Sequence, residues 1–246
     1  MPSADELLRT FSPPRPFVHG STTHDIYQRG NGPPVILLHE LPGMTPRCLD
    51  LAATIADAGF SVNLPLLFGA AGRSATIGNS LRLLCVRRDI ELFAANRTSP
   101  IVAWLRALCR EVHSRAGEPA NGVGVIGMCL TGNFALSLIA EPSVFASVVC
   151  QPSLPVLTGR DALAMSPEDL SAAVAAAREK PKPVGLCMRY EKDWVSPQAR
   201  FERIKKEFGD AFAFIEYPGN EHAVLTDHLV DDALTLTIAH LKARLG

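Results

Sequence analysis

The sequence has no apolar run of the ~18 residues that a membrane-crossing helix needs. It has no CxxC pair, and its six cysteines fall at irregular intervals, which argues against a disulfide framework or a thiolate-rich zinc site. No HxH or HExxH spacing brings ligands together, so neither a metal nor any other cofactor is expected. An excess of charge of one sign is also missing. Lys and Arg number 24 against 25 Asp and Glu, for a formal net charge of −1. That balance provides no electrostatic footprint for nucleic acid or an anionic membrane. The opening residues, MPSADELLRTFSPPRPF, carry acids and prolines where a secretory signal would carry an apolar core. The expectation is a cytoplasmic protein with reduced thiols.

What is present is a globular composition, 47% apolar and 20% charged over 246 residues. A chain of this length suits a single domain that buries roughly three-quarters of its unfolded surface. Short apolar runs bounded by Gly, Pro or polar residues occur at 35–39, 59–68, 123–128, 147–151, 184–190 and 213–218, and they read as buried parallel strands. Helical spacing fills 49–58, 100–116, 130–140, 167–179, 197–208 and 226–244. Ser166 followed by Asp169 resembles a capping box at the start of one helix, and Thr226-Asp227 reads as the start of the last. This alternation predicts an α/β fold, a mainly parallel central sheet with helices on both faces. The first 30 residues, with THDIYQRG, are expected to add one or two antiparallel edge strands. Residues 69–100 break the rhythm and read as an insertion near the carboxyl ends of the strands, where open α/β sheets bind ligands.

One corner stands out. In Gly127-Met128-Cys129-Leu130-Thr131-Gly132 a strand ends and a helix begins with a cysteine between them. Such a corner lifts a side chain out of the sheet, and the amides of the new helix can activate a thiol or hold an oxyanion. The pattern is close to the G-x-S-x-G elbow, with Thr131 where that motif has a glycine, so Thr131 must find room or displace something. The bland reading is a small residue at a tight corner. Cys85, Cys109, Cys150 and Cys187 lie in apolar strands or helices and read as buried hydrophobes, while Cys48 has the setting of a surface loop.

A thiol nucleophile needs a base, and the base needs an orienter. In elbow-type hydrolases the chain order is nucleophile, acid, histidine. Here the acid loop is Glu191-Lys192-Asp193-Trp194 and the histidine is His222, in Gly219-Asn220-Glu221-His222. Glu191 is an alternative to Asp193. Among the histidines downstream of Cys129, only His222 falls in a strand-end loop; His228 and His240 fall on helical patterns, as does His113 upstream, and His19 and His24 precede the first core strand. The first core strand leads into His39-Glu40-Leu41-Pro42-Gly43, where Leu41 is the natural second oxyanion donor beside Leu130. Glu40 is unexpected there, because a carboxylate near a thiol holds the thiol protonated.

HELPG, GMCLTG, EKDWVSP and PGNEHAV, in this order, resemble the dienelactone hydrolase family of α/β-hydrolase-fold enzymes with a cysteine nucleophile. The resemblance covers most of the chain after about residue 30. It implies a triad of Cys129, Asp193 and His222, with Glu40 touching the resting thiol and swinging away when substrate binds. Leu41 and Leu130 would hold the oxyanion of an acyl-cysteine intermediate. The family's activity is hydrolysis of dienelactones to maleylacetate. Family enzymes use arginines for the substrate carboxylate, one of them a few residues past the histidine, yet Ala223-Val224-Leu225-Thr226 offers none. Arg82, Arg87 and Arg88 are the remaining candidates, and Arg88 is favoured. The expected function is therefore cysteine-dependent hydrolysis of a small-molecule ester or lactone. Competing readings are a thioesterase or general carboxylesterase, and a catalytically silent binding protein of the same fold. The helical surfaces do not decide the oligomeric state.

Overall fold

The apolar runs become strands because each is long enough to cross a sheet and too short, too β-branched or too tightly bounded to continue as a helix. The computed structural model describes residues 2–73, 100–117, 121–154 and 159–246. Among them, eight strands form one sheet. A hairpin of β1 (Arg15–His19) and β2 (Thr22–Arg29) is antiparallel, and β2 pairs antiparallel with β4 (Ser61–Pro65). The other strands run parallel to β4: β3 (Pro34–Leu38), β5 (Val123–Met128), β6 (Val144–Cys150), β7 (Gly185–Tyr190) and β8 (Phe212–Tyr217). The order across the sheet is β1-β2-β4-β3-β5-β6-β7-β8. The antiparallel edge expected of the first 30 residues is that hairpin.

Alternating side chains of each central strand enter different cores, which is why β3 and β5 read as unbroken apolar runs. Ile36, Leu38 and Val125 pack with Trp104, Phe134 and Phe201. These come from α3 (Pro100–Ala116), α4 (Gly132–Leu138) and α6 (Gln198–Phe208), and α5 (Pro167–Glu179) completes that face. Val35, Leu37 and Ile126 turn the other way, against Leu7, Leu49 and Leu241 of α1 (Ala4–Leu8), α2 (Pro46–Asp57) and α7 (Asp231–Leu245). The sheet is therefore covered on both faces. Ser166 does cap α5, its Oγ accepting from the Asp169 amide at 3.0 Å.

Two element starts differ from the sequence reading. Helix α2 begins at Pro46 because Thr45 caps it, accepting from the Cys48 amide at 3.2 Å, and proline suits the first helical turn. Cys48 is thus buried in a helix and not on a surface loop, and burial pushes its thiol pKa far up. Helix α7 begins at Asp231 and not at Thr226. Before it the chain turns, with the Thr226 and His228 amides both donating to the Ala223 carbonyl and Tyr190 donating to the His228 carbonyl at 2.7 Å. The expected insertion over 69–100 falls mainly on 74–99, outside the described residues, and Arg82, Arg87 and Arg88 lie there too.

Parallel strands bring their carboxyl ends to one edge. There the β3, β5, β6, β7 and β8 ends present Glu40, Cys129, Ser153, Asp193 and His222 to a common space.

Candidate active site

Cys129 follows β5 at once and opens a 3₁₀ turn, Cys129–Thr131, that leads into α4. Its φ is +55°, a left-handed value that an L-residue adopts only when its surroundings hold it there. Those surroundings are visible. A Cβ on Gly127 would stand 2.3 Å from the Thr131 carbonyl oxygen, so the strand can pass under the turn only with glycine at that position. Thr131 has found room by becoming a tie. Its hydroxyl accepts from the Met128 amide at 2.9 Å and lies 2.9 Å from the Leu38 carbonyl of β3. Asn133 is a second tie, donating to the Leu130 and Ser153 carbonyls at 3.2 and 3.0 Å. Both side chains are fully buried, so they brace the corner and leave the substrate space to others.

Cys129 is buried, 8% exposed. Its hydrogen-bond partner is Ser153, with Sγ and Oγ 2.8 Å apart. The His222 Nδ1 meets Asp193 Oδ2 at 2.7 Å, and the other Asp193 oxygen accepts from the Val195 and Ser196 amides. Glu191, the alternative acid, is exposed, and its carboxylate lies 3.9 Å from the Lys192 ammonium. Burial by itself lowers the His222 pKa, but the hydrogen bond with Asp193 and the Cys129 sulfur beside the ring outweigh it and raise the pKa to about 10. His222 Nε2 is buried and has no well-formed hydrogen bond among the described residues, although the Cys129 sulfur lies close enough to be felt electrostatically.

Glu40 is buried in the same space but has other partners than the expected one. Thr226 donates to its Oε1 and Gln151 to its Oε2, the latter at 3.2 Å. The resting contact between Glu40 and the thiol implied by family resemblance is therefore replaced by a contact between Ser153 and the thiol. The cause is β6, whose end turns through Gln151 at φ +33° and delivers Gln151 to the carboxyl and Ser153 to the sulfur. Burial raises the Glu40 pKa, against the bond from Thr226 and the nearby His222, which lower it. Next to it, His39 is a structural residue: Nε2 accepts from the Leu67 amide at 3.0 Å, and burial lowers its pKa to about 4.

Leu41 and Leu130 join Cys129 in a small apolar cluster with Phe68 and Leu154. The Leu130 amide belongs to the first turn of a helix, where backbone donors lack partners within the helix. Trp194, beside Asp193, is 72% exposed. Arg88 is outside the described residues, and the described chain brings together Cys129, His222, Asp193, Leu41, Leu130 and, behind them, Glu40.

Four residues escaped the sequence reading. Ser153 and Gln151 follow an apolar strand in Gln-Pro-Ser, a signal that strand-end position could have raised. Arg189 braces the acid loop, donating to the Asp193, Ser196 and Glu191 carbonyls and to Glu216 and Gln198. Arg200 is buried and donates to the Ala162, Pro152 and Gly159 carbonyls. Neither arginine announces itself locally, since each lies in an ordinary strand or helix pattern. Among the described residues no cluster of three or more His, Cys, Asp or Glu could hold a metal, and no helix is long and apolar enough to cross a membrane.

The family model for the dienelactone hydrolase family matches residues 23–233. A carboxymethylenebutenolidase of Rhodococcus opacus is 28% identical over 123 residues, which cover 50% of this chain and 42% of that protein. The chain thus aligns with less than half the length of that curated relative. Among solved structures, a dienelactone hydrolase-like promiscuous phosphotriesterase from metagenomic libraries superposes with a TM-score of 0.69 at 13% identity, covering 96% of this chain and all of the other. A cold-adapted esterase from an Arctic intertidal metagenomic library gives 0.63 at 16% identity, covering 95% and 93%. At these identities the two structures share the fold.

Proposed function

The chain belongs to the dienelactone hydrolase family, and from that premise we propose that it hydrolyses an ester or lactone through an acyl-cysteine intermediate. The observation that carries this reading is the pairing of a strained Cys129 corner with an Asp193–His222 couple whose free Nε2 is near the sulfur.

The steps follow from these positions. His222 Nε2 takes the thiol proton, and Asp193 orients the ring and stabilises the imidazolium. The sulfur attacks the acyl carbon, and the carbonyl π pair moves onto oxygen, where the Leu41 and Leu130 amides receive the charge. Collapse of this intermediate breaks the C–O bond, and the departing oxygen takes the proton from His222. In a lactone that alcohol stays attached to the acyl group. Water then gives a proton to His222 and attacks the thioester carbon, and the thiolate leaves.

The cluster of Leu41, Phe68, Leu130 and Leu154 around the sulfur supports an uncharged acyl group at the point of attack. Glu40, coupled to His222 and tied to Thr226 and Gln151, acts here as a buried neighbour that tunes the imidazolium. No metal or other cofactor enters the proposed steps.

The test is a side-by-side assay of wild type and Cys129→Ala on cis-dienelactone and a short-chain nitrophenyl ester. Turnover of either substrate by wild type should fall by at least a thousandfold in the variant, since removing the serine nucleophile of a hydrolase triad costs about 10⁶-fold in kcat. Turnover of the ester alone would keep the mechanism and move the substrate to a general carboxylic ester or a thioester. Equal activity of the two proteins would remove Cys129 from the chemistry.

A further inference from the structure

We propose that Ser153 is a catalytic residue of this site, its hydroxyl donating a hydrogen bond to the Cys129 sulfur that favours the thiolate. The proposal rests on the reading of Cys129 as nucleophile.

The geometry fixes the serine twice before its side chain is considered. Its amide donates to the Cys129 carbonyl at 3.1 Å, and its carbonyl accepts from Asn133 at 3.0 Å. The preceding carbonyl, that of Pro152, accepts from Ser196 at 2.9 Å and from the buried Arg200 at 3.5 Å. Residues 152 and 153 are therefore tied to α4, α6, the acid loop and the Cys129 backbone, and Ser153 Oγ lies 2.8 Å from Sγ.

Donor bookkeeping then assigns the direction. Ser153 is buried, and among the described residues its hydroxyl has one partner, the sulfur. If the thiol donated to Oγ, the serine proton would be left in the interior without an acceptor, and His222 Nε2 would remain without a partner. If the serine donates to sulfur and the thiol proton passes to Nε2, every proton has a place. No redox agent is needed, since one proton moves from S to N and the S–H electron pair stays on sulfur. The charged groups facing the sulfur agree with this. They are His222 from the loop after β8, with Asp193 behind it, and Arg200 from α6. Glu40, from the loop after β3, acts on His222 and is hydrogen-bonded to Thr226 and Gln151. A hydrogen bond to a charged acceptor is about twice as strong as one between neutral groups, so the serine gains more from the thiolate than from the thiol.

The experiment is the pH dependence of Cys129 alkylation by iodoacetamide, read by mass spectrometry of the Cys129 peptide, in wild type, Ser153→Ala and Ser153→Thr. Circular dichroism checks each fold. Ser153→Ala should move the inflection up by about one pH unit, which is about tenfold slower alkylation on the acid side, or about 1.4 kcal/mol. Ser153→Thr keeps the hydroxyl and should return the inflection towards wild type. In wild type alone, thiolate ultraviolet absorbance lost in Cys129→Ala should titrate at the same inflection. An unmoved inflection in Ser153→Ala overturns the proposal. So does a downward move, which would mean that the serine holds the thiol protonated, or an equal upward move in Ser153→Thr. These results leave the nucleophile reading intact if Cys129 still reacts ahead of the other cysteines. A wild-type Cys129 that reacts no faster than they do overturns both.

Discussion

At the scale of single residues, the site holds one carboxyl in a place where burial works against its charge. Glu40 has its pKa raised by burial, so the folded state binds its proton more tightly than the unfolded chain does. A carboxyl raised in this way costs stability as pH climbs from the ordinary value of 4.5 through the folded one. Glu40→Gln keeps an acceptor for Thr226 and offers an amide to Gln151, whose own Oε1 is buried without a partner. The variant should therefore raise the urea midpoint at alkaline pH and change it less below about pH 4.5. An equal change at both ends would mean that the charge is not the cause. Cys129 and His222 could be picked out in the sequence because a thiol at a glycine corner and a histidine after a strand are local patterns. Ser153 has a strand-end position as its one local signal, and nothing within a few residues of it says that it will meet a sulfur.

At the scale of elements, the strand-to-helix corner depends on residues that touch no substrate. Thr131 Oγ1 joins the end of β5 to β3, serving the Met128 amide and the Leu38 carbonyl at once. Thr131→Val conserves the volume but leaves those two buried groups unserved, and this should cost about 2–4 kcal/mol in urea unfolding. It should also lower activity more than it lowers substrate affinity, because Cys129 lies two residues away at a strained φ. A loss below about 0.5 kcal/mol would show that the ties are dispensable. The helix starts teach a related lesson. Ser166 was legible as a cap because an acid follows at the right spacing, whereas Thr45-Pro46 placed α2 earlier than its apolar pattern suggested. The start of α7 was set by a turn that Tyr190 and Ala223 hold from outside the helix, and short-range propensity does not see such partners.

At the scale of the whole molecule, the buried His39 and the half-buried His240 sit where they cannot accept a proton cheaply. His39 links the loops after β3 and β4, and His240 on α7 meets the Val184 carbonyl at 3.3 Å. Burial lowers both from 6.5 to about 4. A depressed histidine supports the fold fully above 6.5, and that support is lost as pH falls towards 4 because the unfolded chain takes the proton first. Each is worth on the order of 2–3 kcal/mol across that window. The urea midpoint of wild type should fall steeply between pH 6.5 and 4, and replacing both residues with glutamine should flatten the slope. A slope unchanged in the double variant would assign the acid sensitivity to other groups.

Local residue patterns suffice for the alternation of buried strands and amphipathic helices, the antiparallel edge, and the chain order of thiol, acid and imidazole. Each of these is written in periodicity or in turn chemistry over a few residues. Which of those groups meet depends on how the folded chain packs. Asp193 and not Glu191 reaches His222 because β7 and β8 are neighbours and Arg189 pins the loop between β7 and α6. Both β3 and β6 flank β5, and Ser153 and not Glu40 reaches the sulfur because the chain leaving β6 turns through Gln151 over the corner, while Glu40 is held by Gln151 and Thr226. The identity of a contact depends on strand order and register, and neither is carried by the local pattern that makes a strand.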